Sequence, residues 1–393
     1  MGRRLILLIY ISACHWHIGT LSAQELTLLF AGDAMLHKNQ IEQAFHEGKY
    51  DFSSYFEYIE PEASSADLAV VNLEVTLGGK PYKGYPMFSA PDEFAVALKN
   101  AGFNVFLTAN NHALDKYSKG INRTIDVLDS LKVYRTGTFK NEEEREHVYP
   151  LIIEKKGIRI AFLNYTYGTN GLKPVFPCIV NYIDNDQIKK DIQKAREQRA
   201  DIIIANMHWG LEYKLLPNKT QKQTADFLMK NGVDIVMGSH PHVVQPSEII
   251  RDENGNIRRL IVYSLGNLIS DMKATNTDGG QLMKLTLSRN EADGVVRINS
   301  CGYILHYTYK ERNDKSVVYR VLPISLVEEY IIPLFRKQIH FPDQVSYMKL
   351  LKFTNNARKL FAEYNVGIFE YRTFFPDRKE NEFIKKLPVL FGK

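Results

Sequence analysis

The chain is poor in cysteine, in tryptophan and in net charge. It has three cysteines in 393 residues and no Cys-x-x-Cys pair, which excludes a disulfide framework and a zinc–thiolate site. Cys14 lies near the N-terminus. Cys178 and Cys301 are either a disulfide or two buried thiols. A formal net charge of +5 is small for this length, and no nucleic-acid-binding motif is present, so nucleic acid is not an expected partner. No tandem repeat or low-complexity tract occurs. The longest apolar run, LILLIYISA at 5–13, is too short for a membrane span and is followed by His15 and His17. What remains, 45% hydrophobic and 24% charged residues, is the composition of an ordinary globular protein with room for a large core.

The N-terminus reads as an export signal. MGRR is a basic start, the apolar run follows, and Leu-Ser-Ala before Gln24 suits cleavage after Ala23. Ile-Ser-Ala-Cys at 11–14 offers a second reading, lipidation at Cys14 and membrane association through the N-terminus. Either way the expected location is periplasmic or cell-surface. The expected units are a signal peptide (1–23), a main domain (24–310) and a C-terminal module (311–393).

Strand-like and helix-like segments alternate through the main domain. LTLLFAG (26–32), LAVVNL (68–73), NVFLTA (104–109), IRIAFLNY (158–165), DIIIANM (201–207), VDIVMG (233–238) and RLIVYSL (259–265) are apolar runs suited to strands buried on both faces. Segments 91–102, 184–199 and 220–232 read as helices between them. The rhythm implies βαβ units, hence an α/β fold with parallel strands. Alternation over 280–308 predicts antiparallel strands closing the sheet. The tail, with 15 Lys/Arg against 10 Asp/Glu over 311–393, reads as a small, mostly helical module.

Polar residues cluster where these strands end. The runs lead into Asp33, into Asn72 and Glu74, into Asn110-Asn111-His112 with Asp115, into His208, into His240 and His242, and into Asn267. Ligands of open α/β sheets bind outside the carboxyl ends of the strands, so parallel neighbours would bring these groups to one place. Pro241 predicts an extended His240-Pro-His242 with both imidazoles facing the same way. The pair alone fits a metal site or hydrogen-bonded loop histidines, and the convergence favours the metal. Imidazole, carboxylate and amide ligands without sulfur suit Zn, Mn or Fe. The donors exceed the needs of one tetrahedral ion, so two divalent ions roughly 3.5–4 Å apart are expected. Asn267 reads as a loop residue and Glu212 and Tyr213 as surface. Tyr82, Lys83 and Tyr85, in GGKPYKGYPMF, read as an exposed loop, with polyanion contact as the alternative.

FAGDAML, VVNLEVTL, TANNHALDKYSKG, MHWGLEY, GSHPHVVQPSE and VYSLGNL occur in this order from residue 30 to 268. Through them the chain resembles the CapA family of capsule and poly-γ-glutamate synthesis, with its calcineurin-like metallophosphatase fold. The resemblance implies that Asp33 is a ligand of the first metal, Glu74 the bridging acid and Asn111 an amide ligand. His208 and His240 would complete one ion and His242 the other. His112 would be the acid that protonates the leaving group, oriented by Asp115. The chain departs from the phosphatase pattern in three places. Asp33-Ala34-Met35 stands where Asp-x-His is usual, leaving His37 as a substitute ligand or a surface histidine. Glu74 replaces an aspartate, and Asn110 replaces the glycine before Asn-His.

Two functions follow as expectations. One is an exported metal-dependent hydrolase that uses metal-bound hydroxide on an amide or phosphoester bond of an anionic cell-surface polymer. The other is a non-catalytic factor that binds such a polyanion during assembly or export.

Overall fold

The computed structural model describes residues 25–312, 317–331 and 344–372. The expected leader and Cys14 lie outside the described residues. Two runs of parallel strands form the halves of one 15-stranded sheet. In the first, Leu26–Ala34 pairs with Leu68–Leu73, then Val105–Leu107 and Tyr134–Thr136 follow, all parallel. In the second, Ile158–Thr166, Ile202–His208, Ile235–Ser239 and Ile257–Val262 are parallel neighbours. The antiparallel pair Gly279–Arg289 and Val296–Arg312 joins the halves, because Gly279–Arg289 pairs with the first strand and Val296–Arg312 with Ile257–Val262. The α/β expectation and its antiparallel closure are both met.

Burial explains why the strands read as continuous apolar runs. Residues of one parity, such as Leu28, Phe30, Val70, Phe162 and Ile204, form a core between the two halves of the sheet. Their neighbours of the other parity face outward and are covered by helices. Ala31, Val71 and Phe106 pack with the helix Asp92–Asn100 and the residues around 52–63. Leu163, Ile203 and Val236 pack with the helices Asn185–Glu197 and Lys219–Lys230. Those two helices start on caps: the Asp184 side chain accepts from Gln187 N–H, and Asn218 from Gln221 N–H. The result is a sandwich with helices outside and the carboxyl ends of both parallel runs along one rim.

The position expected to open a separate module, 311, falls within the strand Val296–Arg312. Val317–Pro323 pairs antiparallel with that strand, and Phe369–Glu370 pairs parallel with it. Helix predominates among the described tail residues, chiefly Gln344–Tyr364. Its Leu350, Phe353, Ala357, Leu360 and Phe361 sit in the same core as the main sheet. The tail's charge obscured a short half-buried strand, VVYRVLP, and one apolar helix stripe. Cys178 and Cys301 are free buried thiols in different cores. Among the described residues no helix is long and apolar enough to cross a membrane.

Candidate metal centre

The rim gathers the expected residues. Asp33 ends the first strand in parallel register with Asn72 on one side and Asn267 on the other. The backbones approach closely there: a β-carbon at Gly32 would lie 1.9 Å from the Gly266 carbonyl oxygen, so only glycine fits. Asp33 N–H bonds to that same carbonyl at 3.0 Å, and Glu74 N–H to Ala34 O at 3.1 Å. The backbone thereby ties Asp33 to the segment that carries Asn267, and Glu74 to the end of the first strand.

Asp33 is fully buried and works as an acceptor. Its carboxylate takes Asn72 Nδ2–H at 2.7 Å and His240 N–H at 3.1 Å, with His242 Nδ1 at 3.2 Å. Burial opposes its ionisation, but the His242 bond and charge outweigh that and hold the carboxyl below its ordinary range. His242 is the reciprocal case: burial lowers its pKa, and the Asp33 bond and charge raise it above the ordinary value. Asn267 Oδ1 lies 3.0 Å from the same Nδ1, and its amide is held by Ser270 and the Thr277 carbonyl. Nδ1 is thus engaged on the protein side, which leaves Nε2 facing the centre.

Glu74 has no such support. It is fully buried, yet neither carboxylate oxygen has a hydrogen-bond partner. His208 Nε2 and His242 Nε2 stand 3.6 and 3.9 Å from Oε1, too far for hydrogen bonds. Burial first, then the negative charge of Asp33, pushes its pKa well above the usual range. Burial likewise drives His208 well below its ordinary value and His240 down to about 3, so both imidazoles are neutral and able to ligate. His240 Nδ1 is buried and also without a partner.

Ligand atoms of Glu74, His240 and His242 lie within 4.8 Å of one another, as do those of Asp33, Glu74 and His208. Glu74 belongs to both groups. The histidines divide differently from the expected pairing of His208 with His240. Asn111 Oδ1 lies 3.0 Å from His208 Nε2. A buried carboxylate lacking any donor, two neutral imidazoles and a nitrogen/oxygen set without sulfur fit a divalent transition ion.

The histidine loop is not extended. His240 has φ 98° and His242 φ 57°, both in the left-handed region. Their rings nevertheless converge, with centroids 5.7 Å apart. The loop is held by His240 N–H on Asp33 and by Tyr213 N–H on Pro241 O at 2.8 Å, and these ties override the local preference for extension. Before the loop, a β-carbon on Gly238 would meet Tyr263 O at 2.0 Å, so that glycine serves close packing.

His112 and Asp115 sit together after the strand Val105–Leu107. Asn110 Oδ1 accepts His112 N–H at 3.1 Å, a side-chain-closed turn that presents the imidazole. His112 Nδ1 and Asp115 Oδ2 are 2.8 Å apart, Asp115 also accepts Phe88 N–H at 2.6 Å, and the Phe88 ring stands edge-on to His112 at 4.6 Å. Nδ1 is engaged by the acid, so Nε2 is the nitrogen left for exchange with a bound molecule.

His37 takes no part in either group. Its Nδ1 accepts Asp271 N–H at 3.2 Å at the start of the short helix Lys38–Gln43, and burial lowers its pKa to about 4. Three further residues belong to the site, two read otherwise from sequence and one, Tyr167, not singled out there. Asn267 orients His242. Glu212 Oε1 is 4.0 Å from His242 Nε2. Tyr167, directly after the strand Ile158–Thr166, places its ring 4.5 Å from His240 while remaining 48% exposed. The strand-end rule that found the ligands would have found Tyr167 had it been applied to that strand as well.

Known proteins agree with the six sequence boxes. The family described as "Bacterial capsule synthesis protein PGA_cap" matches residues 27–272. The capsule biosynthesis protein CapA of Bacillus anthracis is 29% identical over 281 residues, covering 68% of this chain and 65% of that protein. The PGA biosynthesis protein CapA of Bacillus subtilis is 29% identical over 290 residues, covering 70% of each. The chain therefore spans about two thirds of the length of these relatives. Among solved structures, the NAD nucleotidase NadN of Haemophilus influenzae superposes with a TM-score of 0.47 at 13% identity, over 86% of this chain and 68% of that one. A Mycoplasma pneumoniae phosphatase gives 0.42 at 14% identity, over 72% and 94%. With more than half its length matched and the matched residues forming the rim site, the chain belongs to the bacterial capsule synthesis protein PGA_cap family.

Proposed function

We propose that this chain is an exported, metal-dependent hydrolase that cuts an amide or phosphoester bond in an anionic cell-surface polymer during capsule or poly-γ-glutamate-type synthesis. The observation that carries this reading is Glu74: a buried carboxylate without a hydrogen-bond partner, common to two ligand groups, on the same rim as the paired His112 and Asp115. Asp33, Glu74, Asn111, His208, His240 and His242 would hold one or two ions of the Zn, Mn or Fe kind. When bound, such an ion supplies Lewis-acid polarisation of the scissile group and a lowered pKa for water.

The chain's own residues do the rest. Asn72 and the His240 N–H keep Asp33 aimed into the site, and Asn267 fixes the ring of His242. Asp115 holds the Nδ1 side of His112, so its Nε2 delivers a proton to the departing group. The capsule-protein relatives support the polymer as substrate, and the N-terminal pattern supports export.

The test is metal content per chain by elemental mass spectrometry, followed by turnover of poly-γ-glutamate and of a chromogenic phosphodiester by the loaded protein. Metal with turnover of either substrate supports the reading. Metal without turnover of either substrate would replace it with the polyanion-binding factor.

A further inference from the structure

The loop from Gly78 to Phe88 was singled out in the sequence for its tyrosines and lysines, and the metal centre does not use it. It forms one side of an open cleft of about 950 Å³ with Lys38, Tyr50, Lys80, Tyr82, Lys83 and Tyr85 in its lining. We propose that this cleft is a binding subsite for the stretch of acidic polymer that flanks the bond held at the metal centre. The proposal rests on the hydrolase reading for its orientation, but not for the binding itself.

The cleft and the site are joined by a packed wall. The loop's last residue, Phe88, gives its N–H to Asp115 and packs edge-on against His112. On the other side the Phe88 ring meets His37, the residue before Lys38 of the cleft, at 5.3 Å. Tyr85, 74% exposed, stands 6.3 Å from the buried Phe88, ring to ring, on the surface side of this wall. A chain with a bond at the metal centre would therefore reach the cleft over the wall that Phe88 fills, on the side that exposes Tyr85.

The cleft is also built in advance. Lys83 and Ser89 exchange both backbone hydrogen bonds, at 3.0 and 2.8 Å, which closes a hairpin with Tyr85 near its tip. Tyr82 is edge-on to Tyr50 at 5.3 Å, and Tyr50 stacks on the buried Phe52, so one wall is anchored in the core. A β-carbon on Gly84 would lie 2.4 Å from Lys38 N, which shows how closely the hairpin seats on the start of the helix Lys38–Gln43.

The charge selects the occupant. Within the lining, Glu42 is 3.6 Å from Lys38. Asp92, below the loop, is held by a two-pronged bond from Arg123 at 2.6 and 2.7 Å, and Glu93 lies beside Tyr82. Lys80 and Lys83 are exposed and have no ion pair among the described residues, so they are the charge the cleft offers to a ligand. Compact ammonium groups on flexible stems, alternating with phenol hydroxyls, suit repeated single anions along a flexible chain better than one bidentate group. Carboxylates of a γ-glutamyl chain and phosphates of a phosphodiester polymer share that chemistry.

The test compares full-length, metal-loaded protein with its K80E/K83E and K80R/K83R variants. End-labelled poly-γ-glutamate and poly(glycerol phosphate) are titrated by fluorescence anisotropy at several salt concentrations. Metal content and turnover of a small chromogenic phosphodiester are measured in parallel. The charge reversal is expected to weaken binding of the preferred polymer about tenfold or more and to flatten its salt dependence. The arginine variant should bind like the parent, with metal content and small-substrate turnover unchanged in both. The polymer whose binding falls identifies the source of the anions. Loss of polymer binding with no turnover by any of the proteins keeps the subsite and removes the hydrolase reading. Equal binding by parent and K80E/K83E, or binding of neither polymer by the parent, overturns the proposal.

Discussion

The rim at the carboxyl ends of the parallel strands and the antiparallel half of the same sheet follow opposite rules. At the rim, acids and imidazoles are buried, Glu74 and His240 Nδ1 lack partners, and two histidines adopt left-handed backbone. In the antiparallel half, Leu282, Leu285, Ile304 and Val321 fill the cores, and charges pair at the surface, as Arg358 does with Glu328 and Glu370. The antiparallel strands hold unpartnered polar atoms too: both ring nitrogens of the fully buried His306, Gln281 Oε1 and Thr308 Oγ1. Unsatisfied polarity costs stability wherever it occurs; what sets the rim apart is that its unpartnered groups stand among further acids and imidazoles in sets able to hold an ion, which marks where the fold gives stability up to chemistry.

Substitutions on either side of this contrast should behave differently. Glu74→Gln is expected to lower metal affinity by about 100-fold or more and to abolish turnover, without destabilising the chain melted in the presence of a chelator. Retained metal by mass spectrometry, or a large drop in the chelated melting temperature, would contradict the place given to Glu74. His112→Ala should lower kcat by roughly 100- to 10,000-fold while metal content and melting stay as in the parent. Loss of metal in that variant would make His112 a ligand.

His306 gives a pH signature that belongs to the other half. Its pKa is lowered by burial from 6.5 to about 3, so the folded chain keeps it neutral while the unfolded chain protonates it. The stability it protects is intact above pH 6.5 and falls by about 1.4 kcal/mol per pH unit as pH drops from there towards 3. His306→Gln should flatten the acid limb of a melting-temperature profile relative to the parent. Identical slopes would mean that His306 already has a partner in the fold. The smallest effect is expected from Arg358→Ala. Its paired carboxylates are partly exposed, so the loss should be about 1 kcal/mol by chemical denaturation, with metal content unchanged. A loss several times larger would show that the tail helix is more than a cover on the core.

Much of this contrast was legible in the sequence. Strands buried on both faces must be apolar throughout, so their ends, and Asp33, Glu74, His112, His208, His240 and His242 beyond them, could be located by inspection. The parallel topology then brought these residues together. The backbone of His240-Pro241-His242 was not legible, because Asp33 and Tyr213 set it from distant positions in the chain. Asn267 was read as a loop residue because its role depends on lying in register with Asp33. The tail strand escaped because it is only seven residues long and its alternation is confined to Tyr319-Arg320-Val321.

The contact of Gly32 with the Gly266 carbonyl bears on how such a chain can change over generations. A side chain at position 32 pushes on the backbone that carries Asn267 and, through Asp33, on the loop that carries both histidines. One substitution would thus misplace donors from three distant segments, and no single further change would restore them. Variation reaches this corner of the molecule only by simultaneous change at several positions, while the exposed Lys80, Lys83 and Tyr85 of the neighbouring hairpin are free to diverge one residue at a time. A lineage could exchange the polymer it handles while inheriting the metal centre intact.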